Sequence, residues 1–270
     1  MKDIKRNRRY LSAFMFGSML IIASTILIIQ QFGKRPPSQV QYSYEIVNVY
    51  PHDPEAFTEG LVFDDGVLYE GTGLYGQSTL RRVELKTGRV LQIYALPNDV
   101  FGEGVTIFGD EIIQLTWLQH RGFVYDRQTF EPLKEFSYAT EGWGLTNNGS
   151  CLIMSDGTAN LYFLDPETYE VVGQVEVRDG SPVTGLNELE YIRGYVYANV
   201  WHERLIAKID PKTGNVRGWI DLSKIIDYDK LDSESVLNGI AYNAKDDLIY
   251  VTGKRWPQLF EIRLTPMEQT

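Results

Sequence analysis

Glu103 stands between Gly102 and Gly104, two residues after Phe101. A carboxyl group packed against aromatic rings loses solvation, so its pKa climbs towards the working pH, where it can both take and give a proton. Flanking glycines let a substrate approach the backbone closely. Related segments recur as Phe57-Thr58-Glu59-Gly60-Leu61, Phe101-Gly102-Glu103-Gly104-Val105, Glu141-Gly142-Trp143-Gly144-Leu145, Leu186-Asn187-Glu188-Leu189-Glu190 and Leu237-Asn238-Gly239-Ile240-Ala241. A second set reads Glu70-Gly71-Thr72-Gly73, Leu115-Thr116-Trp117, Ser155-Asp156-Gly157, Asn199-Val200-Trp201 and Thr252-Gly253-Lys254. Where the two sets meet, Phe57, Phe101, Trp117, Trp143 and Trp201 would wall a space entered by Glu59, Glu103, Glu141, Glu188, Glu190, Asn187, Asn238 and Lys254, with Trp256 nearby. A concave aromatic pocket with a few convergent polar groups suits a small ligand.

Each residue also has a plainer reading. Glycines at strand starts serve as turn or bulge devices, tryptophans pack between sheets, and a single Glu sits in water or a salt bridge. His52, in Tyr50-Pro51-His52-Asp53-Pro54, reads as a loop residue hydrogen-bonded into a turn, with a ligand role as the second reading. Cys151 reads as a small buried side chain. The acids could instead hold a hard cation through oxygen ligands. With one cysteine, and with His52, His120 and His202 widely spaced, a disulfide framework, a multi-cysteine metal site and a histidine-rich centre are excluded.

The elements that position these residues follow from the repeat, whose anchors fall at Gly60, Gly104, Gly144, Glu188 and Gly239. Each anchor opens a short apolar strand, a turn (Asp65-Gly66, Gly109-Asp110, Asn148-Gly149, Arg193-Gly194, Asp246-Asp247) and a second strand. Third strands are expected at Leu80–Leu85, Gly122–Asp126, Leu161–Asp165, Leu205–Asp210 and Leu259–Leu264. Four units then turn into a fourth strand, whereas the last one ends. The segment Tyr42–Val49 precedes the first repeat without a partner, so it is expected to complete the last unit and close a ring. The fold expected is all-β, a five-bladed β-propeller of four-stranded blades over residues 42–266. First-strand starts and second-strand ends share one end of each hairpin, so both sets of motifs belong on one rim.

The formal charge of −10 is a sum of unlike parts: residues 1–41 carry seven basic side chains against Asp3, and the remainder is strongly acidic. A nucleic-acid binder working through phosphate neutralisation is excluded on that ground. Residues 1–10 read as a basic cytoplasmic flank and 11–30 as one transmembrane helix acting as a signal anchor, with a cleaved signal peptide as the competing reading. Residues 31–41 read as a linker. The domain is thus expected outside the cytoplasm, periplasmic or cell-surface, and secreted if the segment is cleaved.

Taken together, the two motif sets, with Tyr50-Pro51-His52-Asp53 and Trp256-Pro257, resemble in order the signature blocks of the plant and bacterial type of glutaminyl-peptide cyclotransferase. The resemblance spans about residues 45 to 262. It implies a five-bladed propeller that turns the N-terminal glutamine of peptides or proteins into pyroglutamate with loss of ammonia, with no metal and no cofactor. It further implies Glu103 as the acid/base, Asn187 as holder of the substrate amide or developing oxyanion, Lys254 as electrostatic assistant, and Phe57, Phe101, Trp117, Trp143 and Trp201 as aromatic lining. The family pattern has Gln where this chain has Glu59, a substrate-binding position. A non-catalytic propeller displaying its rim to a peptide or protein, and a metal-dependent propeller lactonase with an axial cation on Glu59, Glu103 and Asn187, are the alternatives.

Overall fold

The structure, a computed structural model, describes residues 40–267. The expected basic flank and membrane anchor lie outside the described residues, as does the linker up to residue 39. Val40 and Gln41, assigned to that linker from sequence, instead open the first strand, β1 (Val40–Pro51). Among the described residues no helix is long and apolar enough to cross a membrane.

Four-stranded antiparallel units follow one another along the chain. The first holds β2 (Thr58–Asp64), β3 (Val67–Thr72), β4 (Thr79–Glu84) and β5 (Arg89–Ala95), and the second β6 (Gly102–Phe108), β7 (Glu111–Thr116), β8 (Arg121–Asp126) and β9 (Pro132–Ser137). The third comprises β10 (Leu145–Asn147), β11 (Leu152–Ser155), β12 (Asn160–Leu164) and β13 (Val171–Glu176). A small hairpin of β14 (Arg178–Asp179) and β15 (Ser181–Pro182), not foreseen from sequence, comes next. The fourth unit is β16 (Leu186–Ile192), β17 (Tyr195–Val200), β18 (Leu205–Ile209) and β19 (Val216–Asp221). The last has β20 (Leu237–Asn243), β21 (Leu248–Gly253) and β22 (Gln258–Pro266), and β1 pairs antiparallel with β22 as its fourth strand.

β1 is longer than that role requires. Its first residues, Val40 to Tyr42, also pair in parallel with Gly218 to Ile220 of β19, which joins the last two units into one eight-stranded sheet. An edge strand with unpaired N–H and C=O groups is a liability, and here the overhang of β1 covers it. Accordingly β19 is mostly buried, while its counterparts β5 and β9 are mostly exposed.

The first two strands of each unit are mostly buried, and the first strands contact one another in the cyclic order β2, β6, β10, β16, β20 and back to β2. Hydrophobic clusters lie between neighbouring units. Leu80 packs with Val105 and Phe123; Leu115 with Leu152; Leu161 with Leu189; Ile206 with Ile240; and Leu68 with Tyr250. Each sheet thus buries both faces against its neighbours. At the far ends of the hairpins, Asp65-Gly66 and Arg193-Gly194 have φ of 43°/83° and 48°/90°. Two consecutive positive φ values define the turn that matches strand twist in two-residue hairpins.

Candidate active site

The motif residues owe their aim to a backbone irregularity. In the units that begin with β2, β6, β16 and β20, the register slips between Thr58 and Gly60, Gly102 and Val105, Leu186 and Leu189, and Leu237 and Ile240. Each slip is a β-bulge, which bends the strand and redirects a side chain. Glu59, Glu103, Asn187 and Asn238 all sit in these bulges. The opposing strand ends bring Trp117, Trp201 and Lys254 to the same rim, since Gly102 pairs with Thr116, Leu186 with Val200 and Leu237 with Gly253.

The anchor glycines permit this crowding. A Cβ on Gly60 would lie 2.4 Å from Val105 N, on Gly104 2.5 Å from Leu145 N, and on Gly144 2.0 Å from Asn187 O. Any side chain there would push one innermost strand off the next. All three glycines are therefore contact points between units, and Gly60 and Gly104 also belong to the bulges.

The result is a cavity of about 310 Å³ lined by nine of the residues singled out from sequence: Phe57, Glu59, Phe101, Glu103, Trp117, Trp143, Asn187, Trp201 and Lys254. Phe57, Phe101 and Trp117 meet edge to face, with centroids 6.1 and 5.6 Å apart, and Trp143 meets Trp201 at 5.5 Å. Glu141 links the two groups. Its Oε2 accepts hydrogen bonds from the indole N–H of Trp117 (2.7 Å) and of Trp143 (2.9 Å). Glu141 thus holds the wall from behind.

At the floor, Lys254 Nζ donates to Glu59 Oε1 at 2.7 Å and lies 4.6 Å from the centroid of the Phe57 ring. Asn238 Nδ2 donates to Glu59 Oε2 at 3.1 Å and to Thr58 O at 2.9 Å. Burial pushes the Glu103 carboxyl well above the usual range, and the neighbouring Glu59 carboxylate pushes it further. Burial also raises Glu59, against the opposing pull of Lys254. Two buried carboxyls side by side cannot both ionise readily, and of the pair Glu103 is the one raised further. The Asn187 Oδ1 atom is buried and has no hydrogen-bond partner among the described residues, which leaves an acceptor free beside Glu103.

Several sequence expectations are corrected here. Glu188 and Glu190 do not enter the pocket. Glu188 accepts from the backbone N–H of Leu61 (3.2 Å) and Ile240 (2.8 Å), donors next to the bulges of β2 and β20. Glu190 accepts from Tyr242 N at 3.0 Å and Thr146 Oγ1 at 3.2 Å. Trp256 is fully buried, its indole donating to Ser235 O at 2.9 Å. Asp156 is a turn residue, accepting from Thr158 N at 3.0 Å. Leu74 and Glu234 line the cavity unforeseen. Leu74 lies in the loop after β3 with φ of 81°, and Glu234 in the long connection before β20, where neither carries a motif.

His52 is more than a turn residue. Its Nδ1 lies 2.6 Å from Trp256 O and its Nε2 2.9 Å from Glu70 Oε1, which also accepts from Thr58 Oγ1 at 2.7 Å. A carbonyl and a carboxylate can only accept, so both ring nitrogens donate and the ring is an imidazolium. Burial opposes that charge, but Glu70 outweighs it and raises the His52 pKa. This buried pair staples Thr58, beside Glu59, to the loop that carries Lys254.

Both oxygens of Glu59 are taken by N–H donors, one of them the Lys254 ammonium. No group of three or more His, Cys, Asp or Glu that could hold a metal ion converges among the described residues.

Comparison with known proteins agrees with this geometry. The model of the glutamine cyclotransferase family matches residues 19–264. A glutaminyl-peptide cyclotransferase of Arabidopsis thaliana is 41% identical over 276 residues, covering 95% of this chain and 86% of the plant protein. The crystal structure of Myxococcus xanthus glutaminyl cyclase matches with a TM-score of 0.80 at 38% identity, over 85% of this chain and 100% of that one. Bulged carboxyls, an aromatic wall and sequence likeness along nearly the whole chain lead to one assignment: the chain belongs to the glutamine cyclotransferase family.

Proposed function

We propose that this chain converts the N-terminal glutamine of peptides or proteins to pyroglutamate with release of ammonia. The observation that carries the reading is the meeting of a buried Glu103, its carboxyl pushed well above the usual range, with the free Asn187 acceptor inside an aromatic cavity. In the reaction the α-amine nitrogen attacks the γ-carbonyl carbon, a C–N bond closes the ring, and the γ C–NH₂ bond breaks. One proton must travel from the attacking nitrogen to the leaving one. Glu103 delivers its proton to the leaving amide nitrogen and takes another from the attacking amine, so it ends the cycle as it began. Glu59, held as carboxylate by Lys254, keeps that proton on Glu103. Asn187 Oδ1 accepts an N–H of the substrate, and the ammonium of Lys254 offsets negative charge that develops at the carbonyl oxygen. The reacting atoms all belong to one residue, so the aromatic walls serve mainly to fold that side chain into attack geometry.

We read the five four-stranded units as blades of a five-bladed propeller; the cyclic contacts of the innermost strands and the completion of the last unit by β1 support it. The basic flank and apolar run ahead of the domain support a membrane-anchored enzyme acting outside the cytoplasm.

Attack requires the neutral amine, so turnover is expected to rise with pH through about 7.7–8.0, the α-amino range, and to fall once Glu103 loses its proton. The test is incubation of Gln-Ala-NH₂ with and without chelator, following ammonia and the cyclised product. Chelator-insensitive release of both supports the reading. Chelator-sensitive lactone hydrolysis, or no turnover of either substrate, overturns it.

A further inference from the structure

Beside the aromatic pocket lies a second cavity of about 240 Å³. The two share their walls along the chain. Trp201 and Glu234 line the first, while His202 and Glu203, and Ser233 and Ser235, line the second. The rings of Trp201 and His202 are 4.3 Å apart, and Lys254 N donates to Val236 O at 2.9 Å, so pocket floor and cavity wall are tied together. A glutamine that folds its side chain onto its own amine leaves only its carbonyl to continue the peptide, and that carbonyl must leave past a rim residue. Extended chain advances about 3.3–3.6 Å per residue, so two residues reach from the rim into such a cavity.

Its charge is uneven. Glu203 and Glu234 are exposed and have no ion-pair partner among the described residues, whereas Asp232 lies 3.7 Å from Arg255. The arginine in the cavity wall is already engaged: Arg204 sits 4.3 Å from the Tyr228 ring centroid.

Resting on the activity proposed above, we infer that this second cavity receives residues two and three of the substrate, with Glu203 in its wall, and Glu234 in the adjoining wall of the first pocket, favouring a lysine or arginine there. The enzyme then acts on peptide N-termini with a basic second or third residue in preference to acidic ones.

The experiment measures kcat/KM for ammonia release from Gln-NH₂, Gln-Ala-Ala-NH₂, Gln-Lys-Ala-NH₂ and Gln-Glu-Ala-NH₂ in the full chain. Tripeptides should exceed Gln-NH₂, and the lysine peptide should exceed the glutamate peptide by about fivefold at low salt, as two exposed ion pairs would give, with the ratio shrinking as salt rises. Ser233→Trp, which fills the cavity, should abolish the gain with length while leaving Gln-NH₂ turnover unchanged. Glu203→Lys should erase or reverse the charge preference. Equal kcat/KM for all four substrates, or wild-type ratios in both variants, would overturn the inference. Absence of ammonia from every substrate with the wild-type protein would instead sink the activity on which it rests.

Discussion

Glu59 and Glu103 on β2 and β6, and Glu188 and Glu190 on β16, are carboxyl pairs on the innermost strands, and burial raises the pKa of all four. They differ in what faces their oxygens. Glu188 meets two fixed backbone N–H groups, of Leu61 and Ile240, and Glu190 meets the N–H of Tyr242 and a threonine hydroxyl. Glu103 meets a neighbouring carboxylate and an open cavity. Similar desolvation therefore does different work. Where the partners are fixed donors, it stabilises the joining of strands; where one side is open, it leaves a proton that a substrate can exchange. A raised pKa alone does not mark a catalytic group.

The largest effect that could break this contrast concerns activity. Glu103→Gln should lower kcat by about 10²–10⁴-fold, the usual contribution of a positioned acid/base, with the thermal midpoint nearly unchanged. If Glu190→Gln caused a comparable loss, the division between the pairs would fail.

A stability effect ranks next. Glu70→Leu leaves the His52 imidazolium buried and unpaired, which should cost about 3–5 kcal/mol in denaturant unfolding. The pH dependence has a definite sign. His52 has a raised pKa, so its contribution is complete below about pH 6.5 and is lost as the pH rises through the raised value. Glu70 has a lowered pKa, so its contribution holds above the ordinary carboxylate range and is lost as the pH falls through the lowered value.

The two central acids should separate from each other. Glu188→Gln turns an amide NH₂ towards a backbone N–H and should cost about 1–3 kcal/mol. Glu190→Gln can accept from Tyr242 N and donate to Thr146 Oγ1, so it should be tolerated. Burial pushes Glu190 up to about 8, so ionising it costs stability as the pH climbs towards that value. Thermal melts should show Glu190→Gln level with the wild type near pH 5 and above it near pH 9.

The smallest effect is a shift. Glu59→Gln removes the negative neighbour of Glu103 while keeping an acceptor for Lys254, so activity should stay within about tenfold and the alkaline limb of kcat/KM, set by Glu103, should move to lower pH. An unmoved limb would show that burial alone sets the Glu103 proton.

Much of this was legible in the residues. The repeat of Gly60, Gly104 and Gly144 marked the innermost strands because a side chain there collides with the next unit. Phe101, Glu103, Trp117 and Lys254 carried chemistry in their types, and hairpin topology put them on one rim. Glu188 differs from its expected place because a bulge shifts the alternation that decides which way a strand residue points, and sequence does not reveal the backbone N–H groups of Leu61 and Ile240 that face it. The overhang of β1 onto β19 depends on a long-range pairing without a local signal. Leu74 and Glu234 reach the cavity through loop conformation alone.

The most direct test of the central claim is infrared difference spectroscopy at pH 7 between the wild type and Glu103→Gln. The account predicts a protonated carboxyl band in the wild type that the substitution removes and that shifts in Glu59→Gln. A wild-type spectrum in which Glu103 contributes only carboxylate bands would contradict it.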